Sequence, residues 1–437
     1  MPRLLESHSL SVPGFKDFST GGHMSAKPKV LMIVTLDTKE LEAKYLRKCL
    51  EDNGLEVYHM DASIRRTLNG GAAVKPEDIA AAVGKTMPEI RALNHEGKCT
   101  AIMTEGAIQC AHALHKKVGF SGIIGAGGSL ATNLATGVMR SFPFGLPKFM
   151  ISTMASGMVQ PFVGTKDVIM MYSVCDFAGL NAITRRVMEN GALAIAGMAR
   201  AYEPFQMPPK PTVALSTLGT TEFSSAAVRK ALEEKGFEVM IFHTQGNGGR
   251  AMDDFVRDQD VSVVVNLSTI EIGDYLVNGL FNGGPDRCKA SLEKGVPTIF
   301  VPGNIDFMVG GPLEEAKVQF PGKRYHVHNA QLTAVRAEAE EFKRVADHMA
   351  GLMRLAKGPV IFFIPMLGFS NHDSKQGHLY DPSLPPVFAE HLKKVMPAGV
   401  PIETLPYHIN DGPFAERIIE QVIAFQQASA SRVGLTG

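Results

Sequence analysis

The residues best suited to chemistry lie in a few glycine-rich or polar turns. Residues 122–140 run from an apolar segment through Gly125, Gly127 and Gly128 to Ser129, where a helical pattern begins. Glycines let a ligand approach the backbone, and the free N–H groups and dipole of a helix start favour an anion. With Ser129 read as the cap, this is the composition of a phosphate-binding turn, although a ligand-free strand-to-helix turn uses the same glycines. Residues 35–39, Thr-Leu-Asp-Thr-Lys, leave another apolar run. Asp37 and Thr38 there are suited to cap the next helix, Asp37 also to hold Mg2+ or ribose, and Lys39 to reach a phosphate. Glu105 follows the short apolar run 101–104 and is either a ribose or metal contact or a helix-dipole acid. Thr153 and Ser156 add hydroxyls just past a further strand.

The second half is denser in ionisable groups at the expected strand ends. His243 precedes a glycine-rich turn that ends in Arg250, a pairing suited to a carboxylate or phosphate. Glu271 ends the next strand, His328 stands two residues from His326, and His408 lies near Asp411. Histidines beside carboxylates serve general acid/base transfer or a divalent metal, and hydrogen-bonded polar turns at a sheet edge have the same composition. Gly84-Lys85-Thr86 is not the end of a phosphate loop of the Gly-x-x-x-x-Gly-Lys type, because the required earlier glycine is Ile79. His112 and His115 lack a third ligand nearby in sequence, and nothing around Cys175 marks it as an activated thiol.

These turns need parallel sheets to hold them. Residues 30–34 are a continuous apolar run of the kind buried on both faces of a parallel sheet, and the pattern strand, helix, strand repeats along the chain. Residues 46–57 and 228–239 match at a constant offset, and residues 27–39 are echoed from Lys210. The twin of the Asp37 turn, residues 217–221, has neither acid nor lysine, so the two halves should differ in ligand. The fold class is α/β, with two tandem Rossmann-like, doubly wound parallel-sheet subdomains and a cleft between them, at residues 26–205 and 210–430. Strands are expected near 30–35, 55–60, 100–104, 121–125, 148–152 and 168–174, then 212–217, 237–242, 261–266, 298–302 and 360–364. Helices include 76–95, 106–118 and a long one over 329–355. Residues 1–25 read as a disordered or vector-derived lead.

With 44 basic against 44 acidic residues among 437, no electrostatic surface for nucleic acid or membrane is expected. Five widely spaced cysteines without a Cys-x-x-Cys pair, and no apolar run long enough to span a bilayer, point to the cytoplasm.

Several of these stretches together resemble the Tm-1-like ATP-binding family: Asp37-Thr38-Lys39, Gly125-x-Gly127-Gly128-Ser129, Ile151-Ser152-Thr153 with Ala155-Ser156-Gly157, Gly248-Gly249-Arg250-Ala251-Met252, Asp274-Tyr275, His328-Asn329 and residues 405–411. The resemblance runs from about Lys29 to about Phe425. It implies ATP, with Mg2+, in the first half and a homodimer, and it gives no reaction. Three functions follow as expectations: ATP binding at Gly125–Ser129, an enzyme acting on a small phosphorylated or carboxylated metabolite in the second half, or a dimeric scaffold stabilised by ATP.

Overall fold

The computed structural model describes residues 26–68, 70–157 and 159–433. The expected lead, residues 1–25, lies outside them. Contacts divide the chain into two units. One comprises residues up to Met139, Pro147–Gly157 and Met170–Tyr202; the other comprises Arg140–Leu146, Met158–Ile169 and the chain from Glu203 onward.

The first unit is built on β1 (Lys29–Ile33), β2 (Glu56–Met60), β3 (Ile123–Gly127), β4 (Lys148–Ser152) and β5 (Ile169–Tyr172), in the order β2-β1-β3-β4-β5. The β1–β2, β1–β3 and β3–β4 pairs are parallel. Val30, Leu31 and Met32 are fully buried, as the unbroken apolar run requires. The helices Leu36–Asp52 and Ala182–Ala201 share a core with this sheet through Leu46, Leu50, Met188, Ala192 and Ile195.

The expected strand at 100–104 is helical. It belongs to the helix Glu96–Val118, because Cys99, Met103, Ala107 and Ala111 recur every four residues and are all buried, and this period outweighs the short apolar run. His95 Nδ1 accepts from Lys98 N at 3.3 Å to cap its start, and Gly119 at φ 65° ends it. The expected helix 76–95 is two short helices, Pro76–Ala82 and Met87–Ala92, each with a proline in its first turn.

In the second unit β6 (Thr212–Thr217), β7 (Glu238–His243), β8 (Val263–Ser268), β9 (Thr298–Gly303), β10 (Phe307–Gly310), β11 (Tyr325–Asn329), β12 (Leu332–Arg336), β13 (Val360–Pro365) and β14 (Ile402–Leu405) form two sheets. The main sheet, β14-β13-β9-β8-β6-β7, is parallel throughout. The other is antiparallel, β10-β12-β11. The expected helix over 329–355 is therefore corrected: its first part is the β11–β12 hairpin, and the helix runs over Ala339–Leu352 after a capping box of Glu338 and Glu341. Thr333, Ala334, Val335 and Arg336 are buried, which suits a covered strand better than a solvated helix face.

Both units thus contain a doubly wound parallel sheet. In each, the first strand stands between the second and third, β1 between β2 and β3 and β6 between β7 and β8. The chain reverses its winding there, so the loops leaving the two central strands part and open a crevice at their carboxyl ends. All five cysteines are unpaired. No helix among the described residues is long and apolar enough to cross a membrane.

Candidate functional site

In the first unit a cavity of about 230 Å3 opens at the β1/β3 switch point. Its walls include Asp37, Thr38 and Lys39 from the loop after β1, Ile64 and Arg65 after β2, Gly128 and Ser129 after β3, and Glu96. The structure corrects the cap of the helix Ser129–Arg140 by one residue. Thr132 N donates to Gly128 O at 2.8 Å, so Gly128 holds the cap position and Ser129 is the first helical residue. Glycine supplies no side-chain acceptor. The N–H groups of Ser129, Leu130 and Ala131 come before the helix's own hydrogen-bond ladder and stand at the cavity wall.

The three glycines do different work. A Cβ on Gly125 would come within 2.8 Å of Met150 Sδ and 2.9 Å of Ala135 Cβ, so this glycine lets the helix lie close on the sheet. A Cβ on Gly127 would lie 2.5 Å from that of Ala131, whereas one on Gly128 meets nothing closer than Thr153 Oγ1 at 3.9 Å. Gly128 alone of the three lines the cavity.

The loops after β1 and β2 are clamped to each other. Asp61 Oδ1 accepts from Leu36 N at 3.0 Å, and Asp37 N donates to Ser63 Oγ at 2.9 Å. Asp37 Oδ2 in turn accepts from Ile64 N and Arg65 N at 3.1 and 2.9 Å. Asp37 is thus first a brace for the cavity wall. Burial raises the pKa of Asp61, whose Oδ2 has no hydrogen-bond partner. Lys39 donates to Phe177 O, and its backbone (φ −133°, ψ 35°) kinks the helix Leu36–Asp52. Arg65 pairs with Glu96 at 2.9 Å, but both side chains are largely exposed, so the pair is weak and an anion can draw the guanidinium away.

Thr153 and Ser156 lie on the loop after β4, where Thr153 N donates to Gly127 O at 3.3 Å and Ser156 is exposed; neither lines the cavity. Glu105 is exposed in the interior of the helix Glu96–Val118, so its expected place at a strand end is corrected. Glu96, in the first turn of that helix, stands at the cavity instead. Arg65 and Glu96 were missed by sequence reasoning. The signal for Arg65 was its place in the loop that follows β2 at the ligand edge.

The second-unit residues separate into distinct places. The glycine-rich turn after β7 does hold an anion, and that anion is the chain's own Glu271. Its Oε1 accepts from Gly246 N at 2.8 Å and Gly249 N at 3.0 Å, and its Oε2 from Arg287 Nε at 2.7 Å. Glu271 and Arg287 are buried, and Arg287 also meets Asp253 and Asn266. Burial opposes the Arg287 charge, but Cys288, Asp253 and Glu271 around it outweigh that and raise its pKa. Arg250 donates to Gly283 O at 3.0 Å and faces a separate, mixed-charge cavity with Asp254, Arg257 and Asp286.

His243 and His328 share a third cavity with His372. His408 Nε2 is 2.9 Å from Ser370 O, which braces the loop carrying His372. Among the described residues, no three His, Cys, Asp or Glu side chains are arranged to hold a metal ion.

The chain is thus an α/β protein of doubly wound parallel sheets, with a cavity of about 230 Å3 at the switch point of its first unit. It belongs to the UPF0261 family: residues 28–204 match the Uncharacterised protein family (UPF0261) N-terminal domain and residues 210–426 its C-terminal domain. A UPF0261 protein of Clostridium tetani is 31% identical over 396 residues, covering 90% of this chain and 98% of that one. A UPF0261 protein of Rhizobium meliloti is 32% identical over 394 residues, covering 90% and 97%. The ToMV resistance protein Tm-1(GCR237) of Solanum lycopersicum is 30% identical over 433 residues, which span 93% of this chain and 57% of the tomato protein. The Tm-1-like resemblance read from the motifs is therefore family membership.

Proposed function

We propose that the first unit binds the phosphate end of a nucleotide, ATP with Mg2+, in the β1/β3 cavity. One observation carries the reading: the start of the helix Ser129–Arg140, capped only by a glycine, lines the same cavity as Lys39 and Arg65. An anion there gains hydrogen bonds from N–H groups outside the ladder, the helix dipole and positive charge together. At about 230 Å3 the cavity admits a phosphate chain and leaves the base towards solvent. Asp37 Oδ2 is engaged by two backbone N–H groups, so a Mg2+ ion brought in with the phosphates would be held chiefly by their oxygens, with Asp37 Oδ1 and Glu96 as the carboxylate oxygens at hand.

Isothermal titration of the full chain with Mg-ATP tests this. Gly128→Asp adds a carboxylate where the Cβ has open space, so it leaves the fold intact and repels phosphate. At an effective dielectric near 20 and ~6 Å, one such repulsion is about 3 kcal/mol, and partial screening still leaves a loss of roughly tenfold or more in affinity. Absence of heat with the wild type, or equal affinity in the two proteins, refutes the proposal.

A further inference from the structure

The second unit repeats the winding of the first, and it too has a cavity at the carboxyl edge of its first strand. This one measures about 430 Å3 and is lined by Leu218, Gly219 and Thr220 after β6 and His243 and Gln245 at the end of β7. Phe307 and Val309 of β10, and Leu332 and Ala334 of β12, close it, together with Phe281, His328 and His372. Lysine, arginine, aspartate and glutamate are all missing from this lining. Where the first unit has Asp37, Thr38 and Lys39, the matching turn here is Gly219, Thr220 and Thr221. The neighbouring anion slot of Gly246 and Gly249 is filled by Glu271.

We propose that this cavity binds a small uncharged molecule with an apolar, ring-sized body and a carbonyl or hydroxyl group, and that it rejects phosphates and carboxylates. Phe281, Phe307, Leu218 and Val309 take the body, while Thr220, Gln245 and the imidazoles of His243, His328 and His372 supply hydrogen bonds.

The walls are braced by groups that do not themselves line the cavity. Asp274 Oδ2 accepts from Phe281 N at 2.8 Å and its Oδ1 from Val309 N at 3.1 Å, fixing two walls with one buried carboxyl. Thr220 is held from behind by Asn304, whose Nδ2 donates to Thr220 Oγ1 at 2.6 Å. Asn304 is fully buried at φ 64°, a left-handed conformation that costs a non-glycine residue energy, and its Oδ1 has no partner. Asn410 donates to Thr220 O at 2.9 Å from the other side. His372 packs edge-on against Phe307 at 5.1 Å, and His326 stacks on His378 at 4.2 Å beside it. Burial and then His326, His328 and His378 lower the His372 pKa to about 4, so at neutral pH it presents one donor and one acceptor and no charge.

Saturation-transfer NMR on the full chain, with acetophenone and cyclohexanone as neutral probes and phenyl phosphate and benzoate as charged ones, tests the proposal. Histidine ring signals report the place of binding. Both neutral probes are expected to bind and to shift those signals, with the charged probes weaker by about tenfold or more, because no lysine or arginine lines the cavity to pair with an anion. Gly219→Leu, at a position where a Cβ meets nothing within 4 Å, fills the cavity and abolishes binding. His328→Ala, at an exposed position, removes one hydrogen bond and weakens binding about threefold to tenfold. Thermal melts confirm that both variants are folded. Silence from both neutral probes at millimolar concentration, phenyl phosphate binding as tightly as acetophenone, or binding that survives Gly219→Leu overturns it.

Discussion

Replacing Glu271 by alanine separates a structural clamp from a proton-transfer residue. The carboxylate is fully buried, accepts two backbone N–H groups at the start of the helix Asn247–Asp258, and pairs with Arg287 at 2.7 Å. Its removal leaves Arg287 buried with the more distant Asp253 at 3.3 Å as its remaining carboxylate partner. Breaking a buried pair from one side costs about 3–5 kcal/mol. Loss of the anion at the helix start adds up to ~1 kcal/mol. Against a typical total of about 5–15 kcal/mol, roughly 4 kcal/mol is a large fraction. The assay is urea unfolding followed by far-ultraviolet circular dichroism and by near-ultraviolet signals. Glu271→Gln, which keeps an oxygen for the glycine N–H groups but loses the charge, is expected between wild type and Glu271→Ala. A midpoint for Glu271→Ala within about 1 kcal/mol of wild type refutes the clamp, because that is the behaviour of surface or catalytic carboxylates whose removal costs little.

Three more outcomes are expected. Burial raises Asp274 from 3.8 to about 7, so the folded chain keeps a proton there that the unfolded chain has released. Stability from this group is present below pH 3.8 and lost as pH rises through about 7. Asp274→Asn does not titrate, so its stability relative to wild type should rise by on the order of 3 kcal/mol between about pH 5 and about pH 8. A gap between the two urea midpoints that stays constant or narrows contradicts this. Gly197 lies exposed inside the helix Ala182–Ala201, with nothing within 4 Å of an added Cβ. Gly197→Ala should therefore stabilise by about 0.5–1 kcal/mol, and a lower melting temperature would count against the reading. Cys49, Cys99 and Cys288 are buried, and burial pushes the Cys288 thiol up to about 12. Brief native treatment with iodoacetamide should label Cys110 or Cys175 and spare these three, as read by peptide mass spectrometry; prompt labelling of Cys288 would show that its surroundings are open.

Legibility in the sequence followed the reach of the forces involved. The apolar runs at the centres of β1, β4, β6 and β9 were readable because a strand covered on both faces is near-continuously apolar, a local requirement. The run 101–104 misled because three apolar residues and a threonine fit a strand or part of a helix equally well, and only the longer spacing of Cys99, Met103, Ala107 and Ala111 decides. The hairpin of β11 and β12 was missed because the charged, alanine-rich pattern of the helix Ala339–Leu352 was extended back over it, and the cover that β10 gives β12 comes from outside the local pattern. Among the site residues, Asp37, Thr38, Lys39, Gly128 and Ser129 were visible as strand-end turns. Arg65 and Glu96 join them through packing of elements that local pattern does not place.

The sequence by itself determined two doubly wound α/β halves, because internal repetition and apolar strand runs are written residue by residue. It also determined that the two strand-end turns differ in charge, since Asp37 and Lys39 stand in one and its twin, residues 217–221, has neither acid nor lysine. Tertiary structure decided which glycine turn is open to a ligand. Both turns look equally suited to an anion in one dimension. In three dimensions Glu271 reaches Gly246 and Gly249 from 22 to 25 positions away along the chain and fills the second turn, while the first faces a cavity. A buried carboxylate with three donors is a contact between distant segments, and no local pattern encodes it.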